Sequence, residues 1–192
     1  MKKKVLLTVF EAFADHSKNS TLEILEMYKE HSLEGVDITV EVLPVVYSKA
    51  TETLEKILEG KYDLALLFGM AANRDKITIE RFAINLMDCS LADNEGYIAS
   101  DEVIAEGSDL ALESALDYKG LVKCSSLAKD NLSLSYTAGL YVCNAVFYKA
   151  LFLQKSKYHS LKTGFIHIPK EIDKNILRTF IDETITHSLD GR

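Results

Sequence analysis

Residues 63–68 read Asp-Leu-Ala-Leu-Leu-Phe and stop at Gly69. An unbroken apolar run this short, with no polar face, describes a strand covered on both sides. The same pattern recurs outward in both directions. Val5–Phe10 (VLLTVF), Ile38–Leu43 before Pro44, Leu132–Tyr136, and Gly164–Ile168 (GFIHI) before Pro169 all read as strands. Ile77–Leu86 (ITIERFAINL) is β-like at its start. Amphipathic segments lie between them. Ser20 stands as an N-cap with Glu23 three residues on, a capping-box pattern, ahead of Leu22, Leu25, Met27 and Tyr28. Helices are expected near Lys49–Leu58, closed by Gly60, near Tyr118–Ala128, from Cys143 to about Gln154, and over Glu171–Ser188. Residues 88–109 read as irregular, with a turn at Asn94-Glu95-Gly96. Strands alternating with helices predict parallel pairing with helices on both faces. The expected fold is therefore α/β, a three-layer α/β/α sandwich with a mostly parallel central sheet. It is read as one domain over residues 1–192, with ligands expected at the carboxyl ends of the strands.

Composition narrows the partners. Of 192 residues, 29 are acids and 22 are Lys or Arg, a formal charge of −7. Such a chain is poorly suited to neutralising phosphates or an anionic bilayer, so neither nucleic acid nor membrane is expected as partner. The opening MKKKVLLTVFEAF places lysines before an apolar run, but Glu11 interrupts it and no small-residue cleavage site follows. The longest later apolar stretch, Leu64–Ala72, is far short of the roughly 20 residues that span a bilayer. The three cysteines, Cys89, Cys124 and Cys143, are widely spaced and form no CxxC pair, which argues against disulfides and structural zinc. A reducing, cytoplasmic location is expected. His16, His31, His159 and His187 show no ligand spacing, so neither metal nor other cofactor is expected.

Three apolar segments carry a reactive residue: ITIERFAIN has Glu80, TAGLYVCNAVFY has Cys143 and GFIHIP has His167. Singly, each has an ordinary structural explanation: a cysteine packed as a small hydrophobe, a histidine satisfied within a strand, and a glutamate ion-paired with Arg81. Together they are the components of thiol catalysis. A free thiol titrates near about 8.5, and a helix N-terminus or a neighbouring imidazolium lowers that value. Cys143 lies at an expected helix start and His167 at a strand end, with Glu80 available to fix the imidazole tautomer.

The chain resembles the pyroglutamyl peptidase I family, cysteine peptidases that remove an N-terminal pyroglutamate from peptides without a metal. VLLTVFEAF (5–13), Asn19, LPVVYSKA (43–50), FGMAANRDKITIERFAIN (68–85), DNEG (93–96), TAGLYVCN (137–144) and GFIHIP (164–169) carry the resemblance. It implies Cys143 as nucleophile, His167 as general base then acid, and Glu80 as the group orienting His167. It also implies that Phe10 and Phe13 flank the lactam ring, that the Phe68–Arg74 loop lies near the site, and that the protein is a homo-oligomer. The alternatives are a hydrolase of the same fold acting on another blocked or cyclic amide, and a non-catalytic ligand-binding relative. Departures from the family pattern cluster in the expected site. The first loop reads VFEAFAD where the family usually has GFEPFGG, which brings in Asp15. Asn73 replaces a glycine, Tyr136 an asparagine, and Ser90 an arginine associated with the oxyanion region. Cys89 and Cys124 read as structural, and His16 lies in the altered loop.

Overall fold

A computed structural model of the chain describes residues 2–13, 19–127 and 131–190. Asp15 and His16 lie outside the described residues. Eight strands and five helices follow in the order β1 (Lys3–Phe10), α1 (Leu22–Met27), β2 (Val36–Leu43), α2 (Tyr47–Leu58), β3 (Leu64–Met70), β4 (Ile77–Glu80), β5 (Phe82–Ile84), β6 (Ala111–Glu113), α3 (Tyr118–Cys124), β7 (Leu132–Ser135), α4 (Val142–Ser156), β8 (Lys162–Ile168) and α5 (Lys174–Asp190) among them. A six-stranded sheet has the order β2-β1-β3-β8-β4-β7, and β5 and β6 form a separate antiparallel pair.

The continuous apolar runs are explained by what covers the two faces. Leu6 and Phe10 of β1, Ala65 and Leu67 of β3 and Phe165 of β8 pack beneath α2 and α4. Their alternate neighbours Val5, Leu7, Leu64, Leu66 and Ile166 pack beneath α1, α3 and α5. A strand buried on both faces needs apolar residues at every position, not at every second one. Both layers are present as expected, and the sheet is mostly parallel.

Two neighbouring strands, β4 and β7, run against the other four. β4 is antiparallel to β8, with Thr78 opposite His167 and Glu80 opposite Phe165. Residues 71–76 join β3 to β4 and cannot carry the chain back to the far edge of the sheet, because six residues span at most about 20 Å. The chain must re-enter the sheet where β3 left it, so β4 points the other way. Arg81 ends this strand, and the chain then turns to pair Phe82–Ile84 with Ala111–Glu113. ITIERFAINL is thus two strands in two sheets.

The capping-box reading at Ser20 is corrected. The residue before α1 is Thr21, and no side chain caps the helix. The Thr21 hydroxyl accepts from Phe10 N at 3.0 Å and donates to Asn19 Oδ1 at 2.8 Å, while the Ser20 hydroxyl donates to the Pro169 carbonyl at 2.8 Å. These hydroxyls tie the loop to the ends of β1 and β8 instead of closing a helix. Among the described residues, no helix is long and apolar enough to cross a membrane.

Candidate active site

The parallel strands β1, β2, β3 and β8 end at one edge of the sheet, where a cavity of about 230 Å³ opens. Phe10 and Phe13 line it, as do Ala71, Ala72 and Asn73 after β3, and Ala138, Tyr141, Cys143 and His167. Phe10 is only 2% exposed, so its ring serves the core and the cavity wall together. Phe13 is half-buried, its ring centroid 6.3 Å from that of Tyr141. Hydrogen bonds hold the first loop in place. Glu11 Oε1 accepts from Val45 N at 3.0 Å and from Asn94 Nδ2 at 2.9 Å, and Asn19 Nδ2 donates to the Glu11 carbonyl at 3.0 Å.

Cys143 and His167 meet at Gly69. A Cβ built on Gly69 would lie 3.0 Å from both Cys143 Sγ and His167 Cδ2, and 2.9 Å from Phe165 Cζ. Gly69 is the register partner of His167 across the β3–β8 ladder, so the imidazole lies directly over a backbone with no side chain. Cys143 comes from the first turn of α4. Two contacts fix that turn. The buried Asn144 side chain accepts from Ile84 N at 2.9 Å and donates to the carbonyls of Ile84 and Leu86 at 2.8 and 2.9 Å. The Tyr141 hydroxyl donates to the Ala92 carbonyl at 2.9 Å. Burial pushes that phenol up to about 12, so it remains a donor.

Glu80 is fully buried, and its Oε1 lies 2.7 Å from His167 Nδ1. The structural alternative, an ion pair of Glu80 with Arg81, does not occur. Arg81 pairs with Glu113 at 3.0 Å and lies over the rings of Phe82, Tyr118 and Tyr136. Arg74 Nη1 reaches the buried carboxylate instead, 2.5 Å from the same Oε1. Glu80 Oε2 is buried with no hydrogen-bond partner among the described residues. Nothing in the local sequence marks Arg74 or Asn144 for these roles. In sequence, Arg74 looks like part of a solvated polar turn (NRDK), and Asn144 is one polar residue inside a helix start.

The proton state differs from the sequence expectation. Burial pushes the Cys143 thiol up to about 12, and the negative charge of Glu80 adds to this. The residue's own backbone N–H and the Arg74 charge oppose the rise without reversing it. The expectation of a thiol lowered by helix dipole and imidazolium is therefore corrected. Cys143 is partly buried in the cavity wall, where a charged thiolate loses much of its hydration, and burial likewise disfavours an imidazolium beside it. Burial also holds His167 below the ordinary imidazole value, against the opposing pull of its bond to Glu80. Both shifts favour the uncharged forms, a thiol and a neutral imidazole. With Nδ1–H donated to Glu80, the lone pair is on Nε2.

The departures fall in different places. Ser90 is exposed, while its neighbours Cys89 and Leu91 line the cavity. Cys89 is thus a wall residue, and Cys124 is exposed at the end of α3, not buried filler. Asn73 is exposed, and its backbone stays out of the left-handed region, so asparagine replaces glycine there without strain. Tyr136 is 62% exposed and packs under the Arg81 guanidinium. The described residues hold no group of three or more His, Cys, Asp or Glu arranged to bind a metal.

Comparison with known proteins bears on this arrangement. A family model described as pyroglutamyl peptidase matches residues 3–185. A pyrrolidone-carboxylate peptidase of Thermococcus litoralis is 36% identical over 183 residues, 93% of this chain and 82% of that one. One from Thermosipho melanesiensis is 37% identical over 191 residues, 97% of this chain and 94% of that one. Among solved structures, a mutant pyrrolidone carboxyl peptidase from Pyrococcus furiosus superposes with a TM-score of 0.91 at 32% identity, covering 98% of this chain and 99% of the other. Pyroglutamyl peptidase I from Bacillus amyloliquefaciens gives 0.88 at 29% identity, covering 98% and 96%.

Proposed function

The chain belongs to the pyroglutamyl peptidase family, and from that premise we propose that it removes an N-terminal pyroglutamyl residue from peptides, with Cys143, His167 and Glu80 carrying the reaction. The observation that supports these roles most is the meeting of Cys143 Sγ and His167 over Gly69, with Glu80 2.7 Å behind the imidazole. The thiol proton passes to His167 Nε2 as sulfur attacks the pyroglutamyl carbonyl. The first N–H groups of α4 have no intrahelical acceptor and receive the developing oxyanion. His167 then protonates the leaving amine, the C–N bond breaks and a thioester remains. Water gives a proton to His167 and attacks the thioester. Pyroglutamate leaves, and the proton returns to sulfur. A thiol pushed up to about 12 ionises only as it attacks, so the neutral imidazole acts as a true general base. Phe10 and Phe13 provide apolar walls for a small neutral lactam in a cavity of about 230 Å³.

Catalysis by a free thiol fits a reducing, cytoplasmic setting. Exposed apolar residues in one stretch, Leu91, Tyr97, Ile98 and Val103, fit a homo-oligomer of single-domain subunits. The test is incubation with a pyroglutamyl-linked fluorogenic amide. Release is expected, and Cys143→Ser should abolish it. No release by the wild type, under conditions where a related enzyme works, overturns the proposal.

A further inference from the structure

We propose that Arg74 is a positioning residue for this reaction, supplying the counter-charge to the buried Glu80 through the same carboxylate oxygen that holds His167. The inference rests on the roles assigned above to Glu80 and His167 and adds a fourth residue to them.

Arg74 Nη1 and His167 Nδ1 both donate to Glu80 Oε1, at 2.5 and 2.7 Å. The other oxygen, Oε2, is buried and without a hydrogen-bond partner among the described residues, so the two donors at Oε1 are what the carboxylate has. A fully buried carboxylate without a cation is costly, and the cost is met by taking up a proton. That proton would go either to Glu80 or to His167. Either result disables the site: a protonated Glu80 no longer steadies the imidazolium, and a protonated His167 cannot accept the thiol proton. Arg74 opposes both, because a positive charge beside the pair disfavours any added proton wherever it settles. Its side chain is 28% exposed, so water screens part of this effect.

Placement in the chain gives Arg74 a second task. It ends a short turn, with Arg74 N donating to the Ala71 carbonyl at 3.0 Å. Ala71, Ala72 and Asn73 form one wall of the cavity. The guanidinium therefore ties the loop facing the substrate to the carboxylate behind the base. Among the described residues, the charged groups acting on His167 are Glu80 from β4 and Arg74 from this loop, and the Cys143 thiol faces it from α4.

The test compares Arg74→Gln and Arg74→Lys with the wild type. The acid limb of kcat/KM should move to higher pH by about one unit in Arg74→Gln, since removing an adjacent charge shifts a titration by roughly that much or more. On that limb the rate should fall about tenfold at fixed pH. Arg74→Lys restores the charge and should return the limb to within about 0.3 unit of the wild type. A role confined to holding the loop would lower the rate without moving the limb, and that result overturns the proposal. Arg74→Met serves if the glutamine variant melts below the assay temperature, with the same shift expected. The Glu80–His167 proton uptake is also followed without substrate, by NMR of the histidine ring carbons, with His167→Asn used for assignment. An upward shift in Arg74→Gln supports the proposal even if the wild type releases nothing from a pyroglutamyl amide. An unmoved titration overturns it even if the wild type is active.

Discussion

The molecule brings a cysteine, a histidine and a carboxylate together twice. Cys143, His167 and Glu80 gather at the carboxyl ends of the strands, between the sheet and α4. Cys124, His187 and Asp117 line a larger groove of about 720 Å³ between α3 and α5. In the first group Glu80 is fully buried, held at 2.7 Å from the imidazole and paired with an arginine. In the second, the Asp117 side chain is 55% exposed and lies 3.2 Å from His187, and Asp117 also accepts from Gly120 N at 3.0 Å as the cap of α3. Burial pushes the Cys143 thiol upward, whereas Cys124 faces water. The same residue types form the proposed catalytic group in one place and cap a helix in the other. What separates them is enclosure, which makes each charge depend on its neighbours, and position at a strand edge, where a substrate fits.

Paired substitutions break or sharpen this contrast. The largest effect is expected for Cys143→Ser, which should reduce fluorogenic amide release by more than about 10⁴-fold, while Cys124→Ser stays within about twofold. Next comes Glu80→Gln, which leaves Arg74 facing a neutral amide and should lower kcat by about 10³-fold. Asp117→Asn keeps a capping oxygen and should change stability by less than about 0.5 kcal/mol in chemical denaturation. Gly69→Ala inserts a methyl against Cys143, His167 and Phe165, and should cost about 10²-fold in kcat/KM through misplacement of the reacting groups. Gly120→Ala meets Asp117 Oδ2 at 2.0 Å and His187 Nε2 at 2.7 Å, yet should leave activity unchanged, because the exposed Asp117 side chain has room to swing away and the groove does not adjoin the cavity. Activity lost in Cys124→Ser or Gly120→Ala would break the comparison.

The smallest effect is in pH dependence. His167 is held below its ordinary value, so it accepts a proton only below about 6.5. The acid limb of kcat/KM should therefore lie below pH 6.5. The unfolded chain takes up that proton near 6.5 and the folded chain resists it. Stability should consequently fall as pH drops from 6.5 towards the depressed value, seen as a declining melting temperature. His167→Gln should remove this part of the decline.

Some of this was legible in the chain. DLALLF and VLLTVF announced doubly covered strands, and both lie in the centre of the sheet. Strand direction was not legible, because apolar runs read alike in either direction, and β4 is set by the reach of the six residues before it. Ala111–Glu113 buries only its middle residue, too little to announce a strand. The candidate residues Glu80, Cys143, His167, Phe10 and Phe13 were named from their sequence contexts, and the structure places all five at or behind one cavity. Arg74 escaped notice because a polar loop residue is ordinarily solvated. Only the folded chain shows it turned inward.

Alone, the sequence determined where the long strands and helices form and which reactive groups the chain carries, since periodicity and residue identity are local properties. The tertiary structure decided which carboxylate meets which cation, that Gly69 leaves space for sulfur and imidazole together, and that burial disfavours charge on both. Those outcomes depend on distance and desolvation between segments far apart in the chain, and no local pattern records them.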